Sequence, residues 1–209
     1  MSVPERVPTR PGVDKRRLIL DAAVHVFARR GFYHCRVSDV ADEAGVAYGL
    51  VYHYFQSKDE ILDTLFLERW DLMLEYIDEV DARQISAREK LAEVASFIVD
   101  SYRFAPDVMK VIIVEVTRAA NSFGRTHLEK IREAYGKIAA IVRKGQESGE
   151  FGLEVTPEFA AMAFYGAVEQ VLTQWIFDEA TTSDEEFERA KRFIVATICD
   201  GLTSSASSH

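Results

Sequence analysis

Apolar side chains recur at helical spacing along almost the whole chain of 209 residues. Near the N-terminus, Leu18, Ile19, Ala22, Ala23, Val26 and Phe27 fall at i, i+4 and i+8 and describe one face of a helix. Gly31 ends it. Helix starts are marked just as regularly. Ser57-x-x-Glu60, Ser86-x-x-Glu89 and Ser183-x-x-Glu186 each have the form of a capping box, in which the serine takes a free amide inside the helix and the glutamate takes the amide of the cap. Thr156-Pro157 pairs a cap with a proline at the first helical position, and Pro106 opens another helix. No strand-like alternation persists for more than a few residues. The pattern predicts an all-α fold of about nine helices, over 14–30, 37–44, 48–54, 57–82, 86–104, 106–121, 125–148, 157–178 and 183–202, with no internal repeat.

The ends lack this periodicity. Residues 1–13 hold three prolines, a glycine and two arginines, which predicts a flexible basic arm. Residues 203–209 are mostly serine and alanine and read as a disordered tail.

Within this helical chain one segment carries recognisable chemistry. Residues 37–56 read VSDVADEAGVAYGLVYHYFQ. Ala41 supplies a small residue where two helices cross, Gly45 a residue that tolerates positive φ in the turn, and Val51 an aliphatic anchor for the second helix. Ala47, Tyr48, Gly49, Tyr52, His53 and Tyr54 are left for the outward face, although Tyr52 can equally pack inward. That second helix is too short and too rich in aromatics for a core helix. Lys58 follows at the start of the next helix, where a cation and free amides converge as they do around a phosphate.

These residues resemble the DNA-binding domain of the TetR family of bacterial regulators. From Arg17 to Leu65 the glycine after the first helix, the V-A-x-x-A-G-V, the Y-x-Y-F and the S-K-x-E-I-L stand in the family's order and spacing. The resemblance implies a helix-turn-helix domain over 14–60 and a ligand-binding and dimerisation domain over 61–202. It departs at Cys35-Arg36, where the family commonly has two threonines; Arg36 and Ser38 are the residues available to replace them. Lys15, Arg16 and Arg17, with Arg36 and Lys58, are the phosphate candidates, and Tyr52, His53 and Tyr54 can donate to the same backbone. Tyr48 and Ala47, with Gly49 and Leu50 beside them, are placed for base edges, where apolar groups favour thymine methyls. Affinity is therefore expected to come mostly from backbone contacts and to depend steeply on salt.

The larger C-terminal part resembles the family mainly in architecture, which implies an effector pocket among the middle helices and a homodimer formed by the last two long ones. Ala160, Phe164, Ala167, Val168, Val171 and Trp175 form one apolar stripe, and Phe187, Ala190, Ile194, Ile198 and Leu202 another. Either they pair across a dimer or they cover the protomer's own core. A dimer suits two recognition helices that must reach half-sites about 34–36 Å apart. Apolar and aromatic candidates for the pocket are Phe97, Tyr102, Phe104, Met109, Ile113, Val116, Phe164, Tyr165, Val168, Leu172 and Trp175, with Glu169 as a buried polar group. The runs FYGAVEQVLTQW (164–175) and GQESGE (145–150) are similar to the fatty-acyl-CoA-responsive branch. If that carries over, the effector is a long-chain acyl-CoA, its phosphates meeting Arg118, Arg125, Lys130 or Arg132.

Charge fits this division. The net charge is −9, yet residues 1–58 hold nine Lys or Arg against six acids, a balance of +3 that leaves −12 on the remainder. The chain shows no run of the roughly 18–20 apolar residues that spans a bilayer and no secretory signal. Cys35 and Cys199 lack metal-ligand spacing and fit a reducing cytoplasm as buried thiols. An enzyme is disfavoured: G-x-S-x-G, a P-loop, Rossmann glycines and H-E-x-x-H are all missing, the histidines do not cluster, and Glu115 and Glu169 lack the partners of a dimetal site. No cofactor or metal is expected. The expectation is an operator-binding repressor controlled by an apolar effector. Two alternatives stay open: a regulator of an efflux or catabolic gene with another apolar ligand, and a helical lipid-binding protein without DNA binding.

Overall fold

A computed structural model describes residues 14–115, 125–178 and 182–202, and among these nine α-helices and no strand occur. They are α1 (Lys15–Arg30), α2 (Val37–Ala44), α3 (Tyr48–Tyr54), α4 (Lys58–Asp81) and α5 (Ala87–Phe104). After these come α6 (Pro106–Lys110), α7 (Arg125–Glu147), α8 (Pro157–Asp178) and α9 (Asp184–Leu202). A 3-10 turn, Phe32–His34, lies between α1 and α2 and has no counterpart in the periodicity. The helix expected over 106–121 is α-helical only to Lys110 and continues as a π-helical turn, Val111–Glu115. The rest of that span lies outside the described residues, as do both termini. The chain divides into two compact units between Ile61 and Leu62, inside α4. Among the described residues no helix is long and apolar enough to cross a membrane.

In the first unit, α1 begins at Asp14, whose carboxylate accepts from the amide of Arg16 at 3.0 Å. It buries Ile19, Ala23, Val26 and Phe27 and packs against α2. Phe32 closes this core, meeting Phe27 edge to face at 5.3 Å.

In the second unit, α7 packs on α8, and α9 packs on both α5 and α8. Their shared interior is Leu91, Val94, Ile138, Ile141, Phe164 and Leu172. Of the two apolar stripes, Ala160, Phe164 and Val168, with Phe187, Ile194 and Leu202, are buried inside the protomer, while Ala167, Val171, Trp175, Ala190 and Ile198 are half-buried. Cys199 is buried there too, and burial pushes its thiol up to about 11, away from the reactive thiolate.

The predicted caps form at Ser86 and Ser183, where serine and glutamate serve each other's amides reciprocally. At Ser57 the hydroxyl accepts from Glu60 N at 3.1 Å, and the Glu60 carboxylate also accepts from the amide of Gln56.

The run GQESGE is a structural joint. Its final residue, Glu150, accepts from the amides of Ala87 and Arg88 at 2.8 Å each and so completes the N-terminus of α5. Gln146 holds the following loop by donating to the carbonyls of Gly152 and Val155. Gly149 takes φ 79° at the end of α7. Gly145 lets α7 pass Phe151 and Ala87: a Cβ there would stand 2.5 Å from Phe151 Cδ2 and 2.8 Å from Ala87 Cβ.

Gly145→Ala should therefore lower stability by about 1–3 kcal/mol through overpacking. Gly136→Ala on the same helix, where the added Cβ meets nothing within 4 Å, should raise it by about 0.5–1 kcal/mol. Urea midpoints of the two variants check this: equal midpoints would refute the close-approach role of Gly145.

Candidate functional site

The helix-turn-helix follows from how α2 ends. Gly45 sits in the left-handed region at φ 63°, and the amide of Val46 turns back to Ala41 O at 3.0 Å. The chain then enters α3, which is anchored by Val51 and, just after it, Phe55, exposed at 0% and 2%. The opposite side is open: Ala47, Tyr48, Gly49, Tyr52 and His53 are all exposed, with Leu50, Tyr54 and Ser38 half-buried. Tyr52 thus points outward, which the sequence alone left undecided. Its hydroxyl lies 3.1 Å from that of Tyr48, and the two rings meet edge to face at 5.1 Å. The hydrogen bond to Tyr48 pushes the pKa of the Tyr52 phenol above its ordinary value. The pair offers phenolic hydroxyls beside a mostly apolar surface.

The basic residues around this surface differ in how free they are. Lys15 is half-buried, and Arg16 lies over the Phe55 ring, 5.4 Å from its centroid. Arg17 pairs with Asp21 at 2.9 Å, but both are well exposed and such a pair exchanges at little cost. The Arg36 side chain is exposed. The amide of Arg36 is taken at 2.7 Å by Asp39, which thereby caps α2 where the family commonly has threonines. That backbone hydrogen bond, followed by the charge of Arg30, holds the Asp39 carboxyl below its ordinary range.

Lys58, expected as a phosphate clamp, is engaged within the first unit. Its ammonium donates to the carbonyls of Phe32 and Cys35 and lies over the Phe32 ring, 4.3 Å from the centroid. A cation held this way ties α4 to the 3-10 turn ahead of α2.

In the second unit two neighbouring cavities share Trp70, Ile112 and Tyr165. The first, about 30 Å³, is further walled by Arg69, Met73, Phe97, Ile98 and Met109. The second, about 100 Å³, is completed by Phe66, Ile113, Ile131, Tyr135 and Glu169. Of the expected pocket residues, Phe97, Met109, Ile113, Tyr165 and Glu169 come together here. Phe164, Val168 and Leu172 do not: they are sealed in the core at 0–1% exposure. Phe104 stands 78% exposed, contrary to its expected place in a pocket. Tyr102 and Trp175 instead form an aromatic cluster with Phe187, the Trp175 and Phe187 rings 5.0 Å apart. Val116 and Arg118 lie outside the described residues, as does the side chain of Arg125. Lys130 is paired with Asp71 at 2.7 Å.

The contribution of α4 to these walls is what the sequence did not signal. Phe66, Arg69, Trp70 and Met73 come from one helix whose apolar stripe reads as ordinary core. Arg69 is the unusual member. It lies over Phe97, 5.3 Å from the ring centroid, pairs with no carboxylate among the described residues, and burial pushes its pKa down.

A helix-turn-helix unit followed by a larger helical unit is the arrangement of a class of DNA-binding transcriptional regulators. Comparison with known proteins makes this specific. Residues 19–65 match the family described as bacterial regulatory proteins, tetR family, and residues 88–198 match the tetracyclin repressor-like C-terminal domain. The chain belongs to the TetR family of bacterial transcriptional regulators. It is 32% identical over 166 residues to the fatty acid metabolism regulator protein of Bacillus subtilis strain 168, covering 77% of this chain and 83% of that protein. Among solved structures it resembles the fatty acid degradation regulator FadR of Bacillus halodurans, with TM-score 0.82 and 23% identity over 92% of this chain and 98% of the other. It also resembles FadR of Bacillus subtilis in complex with stearoyl-CoA, with TM-score 0.79 and 25% identity over 89% and 98% of the two chains.

Replacing Lys58 by methionine should destabilise the first unit by about 1.5–3 kcal/mol, as expected for hydrogen bonds from a charged donor. The salt slope of DNA binding should stay unchanged. An unaltered unfolding midpoint together with a slope smaller by about 1 would return Lys58 to the phosphate contacts.

Proposed function

We propose that this regulator is a repressor whose grip on operator DNA is released by a long-chain acyl-CoA. The observation that carries this is the pair of adjoining, largely apolar cavities in a chain 32% identical to a fatty acid metabolism regulator. The 25% identical FadR that holds stearoyl-CoA supports the same ligand class. On this reading the outward face of α3, led by Tyr48 and Tyr52, enters the major groove, and Lys15, Arg16, Arg17 and Arg36 hold the phosphates on either side. The protein works in the cytoplasm, where operator and acyl-CoA meet, and needs no cofactor.

The cavities are small for such a ligand. A benzene-sized guest takes a cavity of about 150 Å³, so an acyl chain requires the walls to part. The ligand then favours the arrangement it opens over the closed one, which is the condition for control.

The partner copy docks, in this reading, on the outer face of α8 and α9. Phe159, Met162 and Phe177 on α8 and Phe193 on α9 are exposed by 56–68% although all are large and apolar. Between them Gly166 has nothing within 4 Å of an added Cβ, which leaves a notch where a second helix can approach.

One fluorescence-polarisation titration tests the main claim. Labelled DNA from the protein's own upstream region should bind with a log K against log salt slope of about −7, from four phosphate contacts in each of two protomers. Stearoyl-CoA should weaken that binding at least tenfold. A flat salt dependence would remove the DNA contacts proposed here, and indifference to every acyl-CoA would remove the effector. Separately, Phe193→Asp should shift the protein from dimer to monomer in sedimentation equilibrium and abolish operator binding; a dimer that survives this change is formed elsewhere.

A further inference from the structure

The second cavity holds three polar groups that its walls leave without partners. Glu169 on α8, Tyr165 one turn before it and Tyr135 on α7 line the space, and none of the three makes a hydrogen bond among the described residues. The tyrosine rings meet edge to face at 5.4 Å. Burial pushes the Glu169 carboxyl above its ordinary range. Burial and then the nearby Glu169 push both phenols up. The remaining walls, from Phe66, Trp70, Ile112 and Ile131, are hydrocarbon or indole.

Such a cluster is costly in an apolar cavity unless something satisfies it. A methylene chain cannot. It would displace water from the three groups and return no hydrogen bond. A carbonyl accepts from the phenols but gives nothing to a carboxylate, and an ammonium does the reverse. A hydroxyl does both, donating to the carboxylate while accepting from a phenol.

We propose that Glu169, Tyr135 and Tyr165 form a polar subsite that takes a hydroxyl carried on the hydrocarbon portion of the effector. The effector class is then a hydroxylated chain rather than a plain saturated one. This rests on the acyl-ligand reading above and sharpens it. Sites built to hydrogen-bond a hydroxyl reject the analogue that lacks it far more strongly than apolar pockets discriminate by length.

Calorimetric titration of the full chain tests this with stearoyl-CoA, a set of hydroxystearoyl-CoA isomers differing in hydroxyl position, and the corresponding free acids. At least one hydroxy isomer should bind about tenfold more tightly than the unsubstituted chain of its own series. Glu169→Leu should erase that preference and tighten binding of the unsubstituted chain. Glu169→Gln, which keeps an acceptor, should retain part of the preference, and Tyr165→Phe should reduce it. These two milder variants carry the comparison if Glu169→Leu does not fold. An unsubstituted chain that binds as well as every isomer, or a preference untouched by all three substitutions, overturns the subsite. Binding of acids without thioesters would sink the acyl-CoA reading while leaving the subsite standing, and binding of neither series overturns both.

Discussion

Every α-helix leaves its first amides and last carbonyls without partners inside the helix, and in this chain the way those ends are satisfied fixes much else. The start of α5 takes the Ser86 and Glu89 box and, in addition, both carboxylate oxygens of Glu150 from beyond the end of α7. That reach exists because Gly145 lets α7 run tight against Phe151 and Ala87. In the first unit Lys58 takes the carbonyls of the 3-10 turn and of Cys35, while Asp39 takes the amide that opens α2. With α1, α2 and the start of α4 tied in this way, α3 needs only Val51 and Phe55 to hold it. Its tyrosines are left outside, where a DNA groove can be read.

Much of this was legible because it is local. Caps, the glycine at Gly45 and the spacing of Ala41, Gly45 and Val51 are requirements of neighbouring residues on one another, so a linear pattern records them. What a linear pattern does not record involves partners distant in sequence. Lys58 looks like a phosphate ligand at a helix start until Phe32, 26 residues away, is seen to supply both a ring and a carbonyl. The GQESGE run marked the resemblance to the acyl-CoA-responsive branch, but its structural task was hidden, because its glutamate serves a helix some sixty residues earlier. Periodicity found the apolar stripes of α8 and α9 but not which partner they faced. The protomer's own core claims Phe164 and Ile194, and the side with Phe159 and Phe193 is the one left open. Glu169 stood out in the sequence as a carboxylate on an apolar helix, a local anomaly, whereas the arginine and aromatics that α4 brings to the same region did not.

In the proposed reading the cavities connect these observations to control. Their walls include Phe66, Arg69, Trp70 and Met73 of α4, and that same helix begins at Lys58, before the boundary between the units. A guest too large for the closed space binds only to an opened form, so its apparent affinity is reduced by the rarity of that form and its binding free energy is what populates it. The more tightly the empty cavities are packed, the larger the part of that free energy that appears as displacement of the walls. Arg69 and Glu169 set the balance from the other direction. Each is a charged or ionisable group partly withdrawn from water and, among the described residues, without a charged partner, Arg69 having only the Phe97 ring, which makes the closed state less favourable than an all-hydrocarbon core would be. A wall built entirely of leucine would close more firmly and demand more of the ligand. In the proposed reading Glu169 does two things at once: it weakens the closed form and it selects the guest that opens the cavity.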